Sequence, residues 1–183
     1  MSDDLKTPLW QWHVDHSAKM APFAGFLMPI QYEGIIKEHT HTRTKAAIFD
    51  ICHMGEFKIS GPSATKDLAR LLTHNLDTLA PGKCRYGFML TESGGIIDDL
   101  IVYRLAKNDY MLVVNGSRVQ ADLDNLKAGL GPDSQLKDIS HETAKIDLQG
   151  PLSCKVLSKA LPGDWNELKY FNFVDAKFMD QPL

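Results

Sequence analysis

The sequence lacks long hydrophobic runs. Its 183 residues are 44% hydrophobic and 23% charged, yet the longest uninterrupted apolar runs span only four or five residues, such as 111–114. A helix that crosses a membrane needs roughly 18 or more apolar residues, so we predict a protein without a membrane span. The apolar fraction is close to the globular average, which excludes intrinsic disorder as a description of the whole chain.

The sequence also lacks a concentration of charge of one sign. The formal net charge is −3, and residues 1–50, 51–139 and 140–183 each carry one more acidic than basic side chain. A nucleic-acid-binding surface needs clustered lysine and arginine, so we predict no nucleic-acid partner. The N-terminus has neither a basic region nor an apolar stretch, and we therefore expect no signal peptide.

Cysteine is scarce, and the motifs of several chemistries are missing. The cysteines are few, odd in number and without a CxxC pair: Cys52, Cys84 and Cys154. They indicate reduced thiols in a cytosol-like compartment, so we predict a cytoplasmic protein. His39 and His41 point apart on a helix and have no further ligands, so we predict no metal. Cys52 and His53 are neighbours that face opposite sides of a strand, and neither a phosphate-binding glycine loop nor a nucleophile elbow is present.

Regular periodicity begins near residue 54 and predicts the order β-α-β-β-β-α-β. The predicted strands are 55–60, 84–91, 96–105, 110–115 and 136–140, and the predicted helices are 63–74 and 119–130. The apolar stripe predicted for the second helix is Val119, Leu123, Leu126 and Leu130. This order is close to a split βαβ, ferredoxin-like unit with an antiparallel sheet, which makes the predicted fold class α+β.

The flanking segments are less regular. Thr7 and Pro8 predict a helix start, and 144–149 predicts a strand followed by a helix after Gly150. Between the first helix and residue 37, the apolar segment 20–36 is interrupted by two prolines and two glycines. We predict an irregular segment packed over a core.

The most informative segment is Gly94–Tyr103, a predicted strand with two adjacent carboxylates. Alternation directs Asp98 and Asp99 to opposite faces, and both faces are otherwise apolar. An isolated buried charge is very costly, so at least one carboxylate should meet a cation, donors or a wet cavity. The pattern alone leaves two alternatives open: a functional carboxylate, or a pair that is solvated at the strand end.

Several segments together resemble one family. They are Thr7–Leu9, Lys19–Met20, Pro22–Phe26, Met28–Pro29, Glu38–His39, Arg43–Thr44, Phe49–Ile51, His53–Glu56, Gly82–Lys83, Tyr86, Gly94–Tyr103, Val113–Asn115 and Leu148–Pro151. Combined in this order, they resemble the N-terminal half of the glycine cleavage system T-protein, an aminomethyltransferase. Its folate-dependent superfamily also includes folate domains of dimethylglycine- and sarcosine-oxidising enzymes and a sulfonium demethylase.

The resemblance implies an enzyme of one-carbon metabolism and glycine catabolism. Such an enzyme takes the aminomethyl group from the lipoyl arm of the H-protein, releases ammonia and passes the one-carbon unit to tetrahydrofolate, without a metal. The implied catalytic carboxylate is Asp99, which would accept a hydrogen bond from the folate amine. The implied folate-binding residues, by position in the family motifs, are Met54, Tyr86, Asp99, Tyr103, Val114, Asn115 and Tyr170.

The resemblance also implies a domain organisation. Residues 51–139 would form the ferredoxin-like domain, inserted in an incomplete α/β folate-binding domain made of 1–50 and 140–183, and the family's C-terminal barrel would be absent. The family continues beyond Leu183 with a Gly-Tyr-Thr-Gly-Glu segment and arginines that meet the folate tail, so we expect weakened folate binding and self-association through exposed apolar surface. The alternatives are a non-catalytic folate-binding or interaction fragment and a sister folate-dependent demethylase.

Overall fold

The structure, a computed structural model, describes residues 4–179 and 181–182. The helices and strands, in chain order, are α1 (Trp10–Asp15), β1 (Lys19–Phe23), β2 (Phe26–Gln31), α2 (Ile35–Thr44), β3 (Ala47–Asp50), β4 (Gly55–Ser60), α3 (Ala64–Leu71), β5 (Lys83–Leu90), β6 (Ile96–Ala106), β7 (Asp109–Val114), α4 (Val119–Gly129), β8 (Gln135–Asp138), β9 (Ile146–Gln149), α5 (Ser153–Ala160), β10 (Lys177–Phe178) and β11 (Gln181–Pro182). Mixed helices and antiparallel strand pairs are what the predicted α+β class requires, and no closed barrel occurs among the described residues.

The chain forms two compact units. Among the described residues, 4–53, 144–169, 175–179 and 181–182 make the first unit, and 54–143 and 170–174 make the second. These divisions lie a few residues from the predicted boundaries. The return of 170–174 to the second unit was not predicted, and Leu183, the end of the last predicted range, lies outside the described residues.

In the first unit, the prediction of an irregular segment over 20–36 is wrong. Strands β1 and β2 pair as an antiparallel hairpin that turns at Ala24 and Gly25, both of which have positive φ (51° and 83°). Two such residues match the twist of a tight hairpin. Pro22 and Pro29 are tolerated because both strands of a two-stranded ribbon are edge strands. Strand β3 pairs with β9, and β10 with β11.

In the second unit, one five-stranded antiparallel sheet has the order β5-β6-β7-β4-β8. Every second side chain of its strands enters a core that helices α3 and α4 complete. Buried members of this core include Phe57, Ile59, Leu68, Leu100, Val102, Tyr110, Leu112, Val114 and Leu126. We call this side of the sheet the helix face, and the other side the Asp99 face.

Helix α4 places its buried stripe differently from the prediction. Leu126 is fully buried as predicted, but the position one turn before it is occupied by Asp122, which is 0% exposed. The predicted stripe residues Leu123 and Leu130 lie at the margin of the core, only partly buried. None of the helices in the described part of the chain has the length and apolar character to cross a membrane.

Candidate functional site

Asp99 lies in a row of side chains across the Asp99 face of the sheet. It stands opposite Phe88 of β5. Extending the registers of β7 against β6 and β4 places Asn115 opposite Asp99 on one side and opposite Met54 on the other. Four strands therefore bring three of the residues implied by the resemblance into one row.

The next two rows of the same face hold further implied residues. Tyr86 stands opposite Ile101, which in turn stands opposite Val113. Tyr103 follows two residues beyond Ile101 and makes an edge contact with the ring of Phe173, with 5.4 Å between the ring centroids. Tyr86 is 48% exposed whereas Val113 is 2% exposed, so this row is accessible at its β5 end.

Val114 does not share this face. Its side chain is 0% exposed and belongs to the core on the helix face. Alternation along β7 instead directs Val113 to the Asp99 face. The side chain of Val114 therefore does not line this surface, and Val113, which is 2% exposed, is the β7 residue directed to it.

Tyr170 lies in the segment that returns to the second unit. Its neighbour Phe171 accepts a hydrogen bond from the amide of Cys84 at 2.9 Å, and Asn172 forms a bridge with Lys83. The segment therefore lines the free edge of β5, the strand that carries Tyr86. The ring of Tyr170 is 89% exposed, and the structure shows no contact of that ring with Asp99.

Asn115 connects the two adjacent carboxylates. Its side-chain amide donates to Asp99 Oδ1, to the Asp99 carbonyl oxygen and to Asp98 Oδ1, each at 3.0 Å. Its backbone amide donates to Asp98 Oδ2, also at 3.0 Å. The carboxylate of Asp99 is thus held in one direction by a residue that is itself held by Asp98.

The site is electrostatically negative. No ion pair to Asp98 or Asp99 occurs among the residues that the structure describes. Desolvation, a hydrogen bond to the Asp99 carboxylate and the negative charges of Asp99 and Asp98 all raise the pKa of Tyr86 above its ordinary value. Tyr86 therefore keeps its phenolic proton near neutral pH, and its hydroxyl can donate a hydrogen bond to Asp99. The arrangement can bind a neutral donor and stabilise positive charge beside Asp99.

The other candidates from the sequence form no site of this kind. No cluster of three or more His, Cys, Asp or Glu that could hold a metal occurs within residues 4–179 and 181–182. The thiol of Cys52 lies 3.2 Å from the carbonyl oxygen of Lys145, and His53 packs edge-on against Phe23.

The first unit contains a separate set of hydrogen-bonded polar side chains. The buried carboxylate of Asp50 accepts hydrogen bonds from Thr7 at 2.6 Å and His13 at 3.0 Å, and His13 contacts the hydroxyl of Tyr32. A cavity of about 420 Å³ adjoins it, between α2, β2 and β3. The residues that line this cavity belong to the first unit. Asp99 and Asn115 belong to the second unit and are not among them.

Sequence reasoning missed Asp122, although a pattern could have revealed it. Asp122 stands three residues after Val119 and four before Leu126, which is the spacing of one helix face. A carboxyl group in such an apolar stripe is the kind of buried ionisable group that marks a site.

Comparisons with known proteins place these residues in context. A family model described as "GCVT N-terminal domain" matches residues 9–183. The chain is 41% identical to an aminomethyltransferase of Desulforamulus reducens over 95% of its own length and 48% of the relative's. It is also 41% identical to an aminomethyltransferase of Chloroherpeton thalassium over 92% of its own length and 47% of the relative's.

Solved structures give the same picture. The crystal structure of glycine cleavage system aminomethyltransferase T from Bartonella henselae superposes with a TM-score of 0.86 at 40% identity, over 91% of this chain and 46% of that one. A heterotetrameric sarcosine oxidase from Corynebacterium shares the fold, with a TM-score of 0.57 at 17% identity, over 77% of this chain and 71% of that one. The chain spans about half the length of the curated relatives it matches.

Proposed function

Because this chain belongs to the family of the GCVT N-terminal domain, we propose that it acts as the aminomethyltransferase of the glycine cleavage system. The proposed reaction moves a one-carbon unit from the aminomethylated lipoyl arm of the H-protein to tetrahydrofolate and releases ammonia. The observation that supports it most directly is the Asp99 carboxylate, which Asn115 holds at 3.0 Å on a partly exposed sheet face.

Asp99 suits the role of the catalytic carboxylate. Folate amines are neutral donors, and a carboxylate held in a fixed direction can accept their hydrogen bond and orient the nitrogen lone pair. The same negative charge stabilises the positive charge that develops as the aminomethyl carbon leaves sulfur. No protein cation neutralises Asp99 among the described ion pairs, so its charge remains available to the substrate.

The neighbouring side chains suit a planar ligand. We propose that Met54, Tyr86, Tyr103, Val113, Asn115 and Tyr170 line the folate site. Aromatic and aliphatic side chains give the flat apolar walls that such rings need, with few polar groups to fix orientation. Tetrahydrofolate enters this proposal as a co-substrate, with no metal.

The fold detail and the biological setting are part of the same proposal. Omitting β5, the order β6-β7-β4-β8 and the chain order β-α-β-β-α-β are those of a ferredoxin-like unit, which supports an insertion of roughly 51–139 in a folate-binding domain. The partners that we propose are the lipoylated H-protein and a second copy of the chain, in the cytoplasm or the mitochondrial matrix. Exposed apolar side chains such as Ile36 (83%) and Ile48 (63%) support the self-association.

Folate binding tests the proposed site in the chain itself. Ligand-observed NMR, which detects weak complexes, should show saturable binding of tetrahydrofolate. Asp99→Asn should weaken this binding, whereas Asp124→Asn should not, because Asp124 is exposed on α4 and accepts a hydrogen bond from Gln120 of the same helix. Absence of binding, or equal binding by all three proteins, would contradict the site.

Turnover tests the proposed reaction. With aminomethylated H-protein and tetrahydrofolate, we expect ammonia release that Asp99→Asn lowers by about 10²–10³, the usual loss on removing one electrostatic contact to a transition state. Release at the uncatalysed rate by both proteins would refute a catalytic role for this chain. Folate binding without turnover would favour the non-catalytic alternative, and turnover of a methylated amine or sulfonium donor alone would favour a sister demethylase.

A further inference from the structure

We propose that Asp122 is a positioning residue for the Asp99 site: it holds a proton that it donates to Asp98, and so fixes the Asn115 amide that orients Asp99. The inference rests on the proposed function for its consequence in folate binding. Its starting observation is a carboxyl group in the core: Asp122 is 0% exposed, and Asp98 is 6% exposed.

The start of helix α4 is anchored beside Asp98. Arg118, one turn before Asp122, donates from Nε to the carbonyl oxygen of Ile97 at 3.0 Å. Ile97 precedes Asp98 in β6, and the side chain of Asp98 points to the helix face by alternation. Helix α4 packs against β6, and the buried carboxyl group of Asp122, whose oxygens receive no N–H or O–H donor of the described residues, adjoins Asp98 there.

The pair needs a proton to be stable. No N–H or O–H group of the described residues donates to either oxygen of Asp122, so the carboxyl group of Asp98 is its polar neighbour. Two ionised carboxylates in contact within a core repel each other, and such pairs share one proton.

The proton resides on Asp122. Asp98 accepts two N–H bonds from Asn115, so its oxygens already serve as acceptors. Asp122 has no such donors, and burial, followed by the hydrogen bond to Asp98 and the charge of Asp98, raises the pKa of Asp122 to about 8. At neutral pH, the hydroxyl of Asp122 therefore donates to Asp98.

The hydrogen bonds then continue without interruption to the site. Asp122 donates to Asp98, Asp98 accepts from the backbone and side-chain amides of Asn115, and the same side-chain amide donates to Asp99. The amide of Asn115 has two hydrogens and three acceptors, so its orientation depends on how firmly Asp98 is held. A change at Asp122 should therefore reach Asp99 although the two do not touch.

Few other charges act on Asp122. Arg118, from the 3-10 turn before α4, lowers its pKa and only partly offsets Asp98 on β6. Helix α3 brings Asp67 and Arg70 to the opposite end of α4, where Arg70 bonds the carbonyl oxygen of the last helical residue. Strand β8 also packs against α4, but its charged residues have other partners: Lys137 donates to Glu142, and Asp138 accepts from Ser140. The state of Asp122 is therefore set by Asp98 and by burial.

The proton is tested directly in the unaltered protein. NMR of aspartate labelled at the side-chain carboxyl carbon should show one carboxyl group that stays protonated at about pH 6.5 and titrates near the value of about 8. This signal should be absent from Asp122→Asn. If the signal of Asp122 instead titrates near 4, like an exposed aspartate, the inference is overturned, and this result depends neither on the folding of a variant nor on folate.

The positioning role is tested with two variants and a control. Asparagine keeps a donor toward Asp98, so Asp122→Asn should leave the Asn115 side-chain amide resonance in place and tetrahydrofolate affinity within about twofold. Asp122→Ala removes the donor, and should shift that resonance and weaken affinity about tenfold, the effect of one hydrogen bond. Asp124→Asn should change neither.

The outcomes separate this inference from the proposed function. If Asp99→Asn weakens folate binding but Asp122→Ala shifts neither the resonance nor the affinity, the inference is wrong and the proposed site stands. If folate does not bind at all, the proposed site fails, while the carboxyl titration and the Asn115 resonance still decide whether Asp122 holds Asp98.

Discussion

Asp122→Asn should change how the stability of the protein depends on pH. The substitution replaces a carboxyl group that titrates near 8 by an amide of the same shape that does not titrate. Between the ordinary aspartate pKa of 3.8 and this value, the native protein keeps a proton that the unfolded chain has released. The contribution of Asp122 to stability is therefore fully present below about pH 4 and is lost as the pH rises to about 8, above which it is constant.

The magnitude follows from the pKa difference. One pKa unit corresponds to about 1.4 kcal/mol, so the free energy of unfolding should fall by up to that amount per pH unit while the native carboxyl is protonated and the unfolded one is ionised. From about pH 5 to about pH 7, the unaltered protein should thus lose about 2–3 kcal/mol relative to the variant. Domains are stable by only about 5–15 kcal/mol, so the change is easily measured.

Urea unfolding at several pH values is the assay. The tryptophans Trp10, Trp12 and Trp165 lie in the first unit, so their fluorescence follows that unit, while far-UV circular dichroism follows both units. The pH-dependent difference between the two proteins should appear in the dichroism. Asp124→Asn, which alters an exposed carboxylate of the same helix, should leave the pH dependence unchanged.

One result would refute the reasoning. If the free energies of unfolding of the unaltered protein and of Asp122→Asn run parallel between about pH 5 and about pH 7, Asp122 releases its proton at the same pH in the native and unfolded chains. The hydrogen bond from Asp122 to Asp98 would then not exist at neutral pH. A change in the urea dependence alone would instead indicate a change in the unfolded ensemble.

Two further predictions concern packing and acid stability. Gly55→Ala should lower the free energy of unfolding by about 1–3 kcal/mol because a Cβ atom there would lie 2.6 Å from Cγ2 of Val119. Combining it with Val119→Ala should restore much of this free energy in urea unfolding. An unchanged urea midpoint in the single variant would contradict the close packing. Burial opposes the ionisation of Asp50, but hydrogen bonds from Thr7, His13 and Cys52 prevail and lower its pKa. Asp50→Asn should therefore reduce stability at neutral pH, with a difference that shrinks as the pH falls below about 4; equal acid midpoints in tryptophan fluorescence would disprove this.

Much of the second unit could be predicted because its patterns are local. The alternation over 55–60 coincides with β4, and the glycine-containing turn near 92–95 joins β5 and β6 as predicted. Regular alternation depends only on residues a few positions apart. The hairpin of β1 and β2 could not be found in this way, because it depends on a non-glycine residue, Ala24, with a φ of 51°, which no residue type indicates.

The candidate site could be predicted only in part. The cost of burying charge pointed to Asp98 and Asp99, and the resemblance implied Asn115. Which of two adjacent residues faces the Asp99 side of the sheet depends on register, however, and the structure directs Val113 there and Val114 to the core. A shift of one residue moves a side chain to the other face of the sheet, and no local pattern in the segment 110–115 decides between the two.

A carboxyl pair in a core is a poor way to gain stability, and this explains why Asp122 is informative. Apolar side chains of similar volume often stabilise a core as well as, or better than, a buried polar pair, and the stripe through Val119 and Leu126 would accept one. The carboxyl group of Asp122 fixes an orientation instead. On the helix face its hydroxyl donates to Asp98, and the other lone pairs of Asp98 accept from the backbone and side-chain amides of Asn115. An apolar residue at 122 would pack equally well and would leave the amide that orients Asp99 free to turn, so the stability lost in the core is exchanged for the orientation of one carboxylate.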